Sequence, residues 1–297
     1  MIQRLWKLLL RTFILISAFF IIWAFYILIQ RPARQTVTQP LYEGVTYYRE
    51  VWQEPRSLIF HIVEVDRTAE GVEFFVTPGV DLEGDNDYLA QKTTDFLLEN
   101  NLQLAINGDF FRPFESLTPF HYYPYVGDPI DIMGFAISDG VTYSTPENAR
   151  PVLCITPETA VIEKFICPPD TLQAMGGGTI FYENSEVVMA RLERLYLRVP
   201  QPRTMIALDE TGDTIWFILV DGRQRRYSEG IGLQEMTPLL EQLGAKIALN
   251  LDGGGSVTLA IEENGRSKIL NSPIHTRIPL RERPIGNHLG IYAQPLE

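Results

Sequence analysis

Residues 246–256 read Lys-Ile-Ala-Leu-Asn-Leu-Asp-Gly-Gly-Gly-Ser, a hydrophobic strand that ends on an Asn and an Asp and runs into three glycines. Behind it, from about Leu233 to Leu243, Met236, Leu239, Leu240 and Leu243 fall at helical spacing and Gly244 supplies a stop, which predicts a helix. The same order recurs earlier. Residues 94–109 (Thr-Asp-Phe-Leu-Leu-Glu-Asn-Asn-Leu-Gln-Leu-Ala-Ile-Asn-Gly-Asp) align without a gap on 237–252, with Thr94/Thr237, Leu97/Leu240, Ala105/Ala248, Asn107/Asn250 and Asp109/Asp252 identical. A helix from about Asn86 to Asn100, with Leu89, Thr93, Phe96 and Leu97 on one face, precedes that earlier strand. Two similar helix–strand units are therefore expected, with strand ends that bring Asp109 and Asp252 to one site.

Around these units the chain is patterned for strands. Leu58–Val65, Val72–Thr77, Gly134–Ser138, Thr204–Leu208, Thr214–Val220, Val257–Ile261 and Leu289–Ala293 are short, rich in β-branched or aromatic residues and bounded by turn formers, as strands are. Asp-Glu-Thr-Gly-Asp (209–213) and Glu-Glu-Asn-Gly-Arg (262–266) read as hairpin turns, each with a glycine for positive φ. The expected fold is α+β: a mixed β-sheet domain with few helices.

The N-terminus is of another kind. Thr12 to Ile29 is an uncharged run of 18 residues, about 27 Å as a helix and close to the thickness of a bilayer core. No small-x-small cleavage site follows it, so an uncleaved anchor is expected. Arg4, Lys7 and Arg11 outnumber Arg31 and Arg34 across the run, which puts the N-terminus in the cytoplasm and the large domain outside, as a single-pass membrane protein. The expected organisation is cytoplasmic tip and anchor at 1–30, tether at 31–45 and one domain at 46–297. Cys154 and Cys167 flank two strand-like runs; outside the cytoplasm they can form a disulfide, and otherwise they are small buried hydrophobes.

Composition narrows the function. The chain of 297 residues carries 37 Asp and Glu against 25 Lys and Arg. Three of those bases lie in the first thirty residues, so the remainder is more acidic still and unsuited to nucleic acid. The four histidines show no metal-ligand spacing, and no Gly-x-Ser-x-Gly or Gly-Lys-Ser/Thr ending occurs, so α/β-type serine hydrolases and ATP-type phosphate loops have no support. What stands out is Asp252-Gly253-Gly254-Gly255-Ser256, where successive glycine amides can turn to one point as an anion-binding nest. Asn107-Gly108-Asp109 likewise places polar groups at the end of an apolar strand, where partners or a ligand must satisfy them. An Arg at 203, before an apolar strand, could clamp a phosphate. Arg281-Glu282-Arg283 alone resembles a solvated charge cluster.

With these pieces assembled, the chain resembles the phosphodiester glycosidase family. The matching segments are Ala105-Ile-Asn-Gly-Asp-Phe-Phe111, Met175-Gly-Gly-Gly178, Pro202-Arg-Thr204, Leu219-Val-Asp-Gly-Arg223, Ala248-Leu-Asn-Leu-Asp-Gly-Gly-Gly-Ser256 and Glu282-Arg-Pro-Ile-Gly-Asn-His-Leu289. Many relatives have a second glycine where this chain has Asp109. The resemblance implies hydrolysis of the bond between an anomeric carbon and a phosphodiester oxygen, in a sugar-phosphate or polysaccharide substrate. Asp252, Asp109 and Glu282 are then the candidate catalytic carboxylates. Asn107, Arg203, Thr204, Asp221, Asn250, Gly253, Gly254, Gly255, Ser256 and Arg283 are the candidate substrate-binding residues. No cofactor is predicted. The Pro- and Tyr-rich segment from about Arg112 to Tyr125 is expected to lie over the site. Two other readings stand beside this one: a non-catalytic envelope module that holds a sugar phosphate, and a phosphodiesterase with a divalent metal on Asp109, Asp221 and Asp252.

Overall fold

The computed structural model describes residues 2–80, 88–146, 148–188 and 195–296. It divides into two compact units, Met1–Ala33 and Arg34–Glu297. The first is a helix, Ile2–Gln30, in which Leu9–Gln30 is long and apolar enough to cross a membrane.

The second unit is α+β, as expected. Its largest sheet has eight strands in the spatial order Val37–Tyr42, Val45–Trp52, Leu58–Asp66, Thr214–Val220, Arg203–Leu208, Ile247–Asn250, Thr179–Glu183 and Glu186–Val187. A five-stranded sheet runs Arg266–Ile269, Leu259–Glu263, Leu104–Asn107, His288–Tyr292 and Glu73–Val76. A second sheet of five carries Val152–Ile155 between Gln173–Gly176 and Ala160–Glu163. The described ladders are antiparallel, and among the described residues the parallel contact is an isolated bridge between Ile274 and Arg281. Residues 37–42, placed by composition in the tether, instead form the edge strand of the large sheet, where Val37 opposes Arg49.

Alternation along the strands explains the layering. Ile206 and Leu208 face a core shared with Leu104, Ile106, Leu249 and Leu289, whereas Met205 and Ala207 face the opposite core with Leu233, Met236, Leu239 and Leu240. Successive side chains of a strand point to opposite faces, so a strand covered on both faces reads as the unbroken apolar runs seen at 203–208 and 214–220. The helix Thr237–Leu243 covers one face of the large sheet, ending at Gly244 with φ 76°. The helix Thr93–Glu99 covers the outer face of the five-stranded sheet through Phe96 and Leu97, packed with Leu102, Ala105 and Ala260. The two helix–strand units thus sit back to back, with their strands packed between them.

That second helix is shorter than the sequence pattern suggested. Residues 81–87 lie outside the described residues, Tyr88–Leu89 is a short strand, and the helix starts only at Thr93. Its start is set from elsewhere in the chain: Glu282 accepts the Thr94 amide at 3.2 Å and the Thr94 hydroxyl at 2.7 Å. A carboxylate there satisfies orphan helix amides and complements the helix dipole.

Cys154 and Cys167 form a disulfide. It ties the strand Val152–Ile155 to the chain just past its antiparallel partner Ala160–Glu163. A short closed loop of this size should contribute about 2–4 kcal/mol. Replacing both cysteines with serine should therefore lower the free energy of urea unfolding by that amount, and an unchanged midpoint would show the bridge to be energetically silent.

Candidate functional site

The ends of the two central strands meet. The Asp252 amide donates to the Gly108 carbonyl at 3.2 Å, and Asn107, fully buried, holds the junction together. Its Nδ2 donates to the Asp252 carbonyl at 2.8 Å, and its Oδ1 accepts from the Thr204 hydroxyl at 2.6 Å and the Thr258 amide at 3.2 Å. Asn250 donates to the Leu251 carbonyl at 2.9 Å. Asn107, Thr204 and Asn250, expected to bind substrate, are instead the buried polar floor on which the site rests.

Above that floor opens a cavity of about 750 Å3 lined by Asp252, Gly253 and Gly254 of the glycine loop, Arg203, Arg223, Arg277 and Arg283, Gln201, Thr276, and Phe110, Phe114 and Ser116. Among the described lining residues Asp252 is the sole acid. Its Oδ1 accepts the Gly253 amide at 2.9 Å and its Oδ2 accepts the Ser256 hydroxyl at 2.5 Å. Burial raises its pKa, opposed by Arg283, Ser256, Gly253 and Arg223. Arg283 Nη1 stands 4.0 Å from Oδ2 and donates to the Ser256 Oγ at 3.1 Å. Its Nε donates to His275 Nδ1 at 3.3 Å. Burial, with Arg283 and Arg281 beside it, pushes His275 down to about 3, so the imidazole is a neutral acceptor.

The glycines serve these arginines rather than forming a nest. The Gly253 amide is spent on Asp252 and the Gly254 amide on the Pro202 carbonyl at 2.9 Å. A Cβ at Gly255 would lie 2.6 Å from Arg283 Nη2, and one at Gly254, where φ is +63°, would lie 3.0 Å from Arg223 Nη2. Arg223 also donates to Gln201 Oε1 at 3.0 Å. Arg277 follows Thr276, with φ values of 64° and 51°. Left-handed backbone at such residues costs about 1–3 kcal/mol each and tends to mark functional loops.

Three expected site residues have other work: Arg203 stands in the cavity wall, and Glu282 and Asp221 lie outside the lining. Arg203 is buried, and its guanidinium donates to the carbonyls of Leu197, Val199 and Ile231 at 3.2–3.3 Å, so it braces the cavity wall instead of presenting a free fork. Glu282 caps the helix at Thr93, as above. Asp221 is buried in a network of its own. It accepts from Ser272 N at 2.9 Å and Asn271 Nδ2 at 3.2 Å, and contacts His61 Nε2 at 3.1 Å, with Tyr47 beyond on His61 Nδ1 at 2.7 Å. Gln224 adds a bond to the Ser272 carbonyl at 2.8 Å. Asp221 and Gln224 thus bolt the loop that carries Arg223 to the segment that leads to Arg277.

The hairpin Glu115–Thr118 and His121–Tyr123 forms part of the cavity rim, as expected of the 112–125 segment. Arg283 lies 4.3 Å over the Phe114 ring, and Arg281 donates to the Pro119 carbonyl at 2.6 Å and the Tyr122 hydroxyl at 3.0 Å. The Arg-Glu-Arg run is therefore no solvated cluster: its three side chains clamp the hairpin, cap a helix and enter the cavity. Arg223, Arg277 and Phe114 were not singled out from sequence. Arg223 closes the quoted Val-Asp-Gly-Arg segment and was findable there, whereas His-Thr-Arg at 275–277 carries no signal.

Asp109 sits close enough to Asp252 to feel its charge, but its side chain is fully buried and does not line the cavity. Its Oδ1 accepts the Phe110 amide at 2.7 Å and lies 3.5 Å from Arg150, while its Oδ2 fills space that a side chain on Gly134 or Gly176 would take. Burial pushes its pKa up to about 6 from 3.8, against the pull of Arg150. A carboxyl whose folded pKa is raised binds a proton more tightly when folded. Stability therefore falls as pH rises from about 4 to 6, by roughly 3 kcal/mol, and is level above. The difference in unfolding free energy between wild type and Asp109→Asn should shrink or reverse across that window, and a constant difference from pH 4 to 7 would contradict this placement.

Comparison with known proteins gives the cavity a context. The sequence profile of the phosphodiester glycosidase family matches residues 100–292, well over half of the chain. No curated protein sequence is significantly similar. Among solved structures, the catalytic domain of zebrafish N-acetylglucosamine-1-phosphodiester alpha-N-acetylglucosaminidase, auto-inhibited by its pro-peptide, superposes with a TM-score of 0.59 at 19% identity, over 89% of this chain and 87% of that one. A protein of Burkholderia pseudomallei gives 0.63 at 12% identity, over 88% of this chain and 97% of its own. A hypothetical protein of Synechocystis gives 0.64 at 15% identity over 88% of this chain, which spans 64% of that protein's length. The structural likenesses show a shared fold, and the matched segment carries the glycine loop, Arg223, Arg277 and Arg283: this chain belongs to the phosphodiester glycosidase family.

Proposed function

We propose that the protein hydrolyses a sugar 1-phosphodiester at its glycosidic C–O bond, in an envelope or exported glycan. The observation that supports this most is a single carboxylate, Asp252, in a cavity whose other charged lining residues are all arginines, Arg223, Arg277 and Arg283 with Arg203 in the wall. The substrate carries its negative charge on the phosphodiester, and those donors are where that charge would be held. Departure of a phosphate monoester builds up charge on its oxygens, and preorganised cations in a partly buried site stabilise such charge strongly. Asp252 has its two oxygens fixed by Gly253 and Ser256. Each keeps a further lone pair, either for a water that attacks the anomeric carbon or for the positive charge that develops there.

In this reading Asp109 does not touch substrate. The charge of Asp252 adds to burial in favouring the protonated form of Asp109, and Arg150 offsets it. Arg203 and Asp221 hold the walls. The N-terminal helix is proposed as the membrane anchor, with the large unit outside the cytoplasm, where the disulfide persists. A metal-dependent phosphodiesterase draws no support from the donor set: among the described residues no three His, Cys, Asp or Glu side chains converge.

The test is hydrolysis of an N-acetylglucosamine 1-phosphodiester by the full chain in water labelled with heavy oxygen. Label is expected on the sugar; label on the phosphate would sink the glycosidase reading, and saturable binding without release would favour a binding module. Asp252→Asn should lower kcat by about 10²–10⁴-fold with little change in melting temperature. Gly255→Ala, which displaces Arg283, should cost about tenfold or more in kcat/KM by misplacing the cation. Full activity in either variant would overturn the role given to that residue.

A further inference from the structure

The cavity holds more positive charge than one phosphodiester answers. Arg203 keeps its charge but gives its donors to carbonyls. Even counting only the three guanidiniums left to meet a ligand, they stand against one carboxylate, and a bound phosphodiester adds only one negative charge. The imidazole of His275 is neutral and supplies no further charge. If Asp252 is ionised one cation is left over, and if it is protonated two are.

This excess runs against the composition, since the chain has 37 acids to 25 bases. It is also held at a cost. Arg223 feels the like charges of both Arg277 and Arg283, and Arg277 is placed beside it by two successive left-handed residues, Thr276 and Arg277. The segment that carries Arg277 is tied to the Arg223 loop by Asp221 and Gln224 on Asn271 and Ser272. Arg283 is buried while Arg223 and Arg277 are exposed at the cavity mouth, so solvent screens part of their mutual repulsion and a bound counter-charge relieves the rest.

We infer that the natural substrate carries a second anionic group next to the hydrolysed phosphodiester, and that Arg277 is the residue that selects for it. The shared chemistry is a dianionic glycosyl phosphodiester. Its second charge lies either on the leaving-group side, as another phosphate, or on the sugar side, as a carboxylate. The inference rests on the glycosidase reading for its substrate class, and its test needs no turnover.

Binding to the full chain is measured near pH 6 by calorimetry for two ligand pairs. Inorganic phosphate against pyrophosphate adds charge on the phosphate side; glucose 1-phosphate against glucuronic acid 1-phosphate adds it on the sugar side. One pair should show at least about tenfold tighter binding of the more charged member, a difference modest for two charges in a partly buried site. The pair that shows it identifies the side. In Arg277→Ala that ratio should fall below about twofold, and Arg277→Lys, which keeps the charge, should restore most of it. Ratios below about threefold in both pairs, or a ratio that survives Arg277→Ala, would overturn the inference. A chain that cleaves a singly charged phosphodiester but shows no ratio fails here alone. One that shows the ratio but releases no sugar keeps the dianion site and loses the glycosidase reading.

Discussion

The carboxamide of Asn107 is the point on which the site hangs. It is fully buried and lies between the two main sheets, and it bonds three strand-end groups at once: the Asp252 carbonyl, the Thr204 hydroxyl and the Thr258 amide. A buried amide left unpaired is costly, so these bonds hold as a set or fail as a set. Because Asp252 N also binds Gly108 O, the backbone on both sides of the Asp252 side chain is fixed by residues from the other helix–strand unit. A hydrophobic interface can hold two sheets together, but it is non-directional. The directional bonds at Asn107 are what fix where the Asp252 carboxylate emerges.

Once that strand end is fixed, the three glycines have a use different from that suggested by their spacing. A run of glycine amides invites an anion, yet two of these amides are already bonded within the protein. What the missing side chains provide is proximity: Arg283 lies against Gly255 at a distance no Cβ would permit, and Arg223 against Gly254 at one tighter than most Cβ contacts. The same device recurs behind the site, where Gly134 and Gly176 leave room for Asp109. In both places glycine admits a charged side chain from elsewhere in the fold.

This is also why some of the site was legible in the sequence and some was not. The two helix–strand units and the hairpins are local patterns, and periodicity and turn chemistry report them directly, whereas the pairing of Cys154 with Cys167 depends on cross-strand geometry and stayed open until the structure showed it. The approach of Asp109 to Asp252 was legible because both end strands of one pattern. Arg203, Asp221 and Glu282 were misread because charge in an apolar context signals only that a partner must exist. Whether that partner is a ligand, a carbonyl or a helix end depends on contacts between residues such as Glu282 and Thr94, far apart in sequence. Arg277 left no trace at all, since its position comes from a left-handed turn without glycine, held by Asn271 and Ser272 against Asp221.

The unequal fates of the two aspartates accord with the chemistry of the leaving group. An ordinary glycosidase must protonate a poor alcohol leaving group, and so keeps two carboxylates at the sugar. A phosphate monoester departs without that help, and what it requires is cationic stabilisation. A second carboxylate facing the cavity would then be a liability, as it would repel the phosphodiester and neutralise the arginines. Asp109 is buried beside Phe110, paired with Arg150 and pushed up to about 6 by burial, so it does not face an anion in the cavity. One carboxylate in front, one behind, and guanidiniums facing the cavity is the charge pattern that the proposed cleavage at carbon, with an anionic leaving group, would call for.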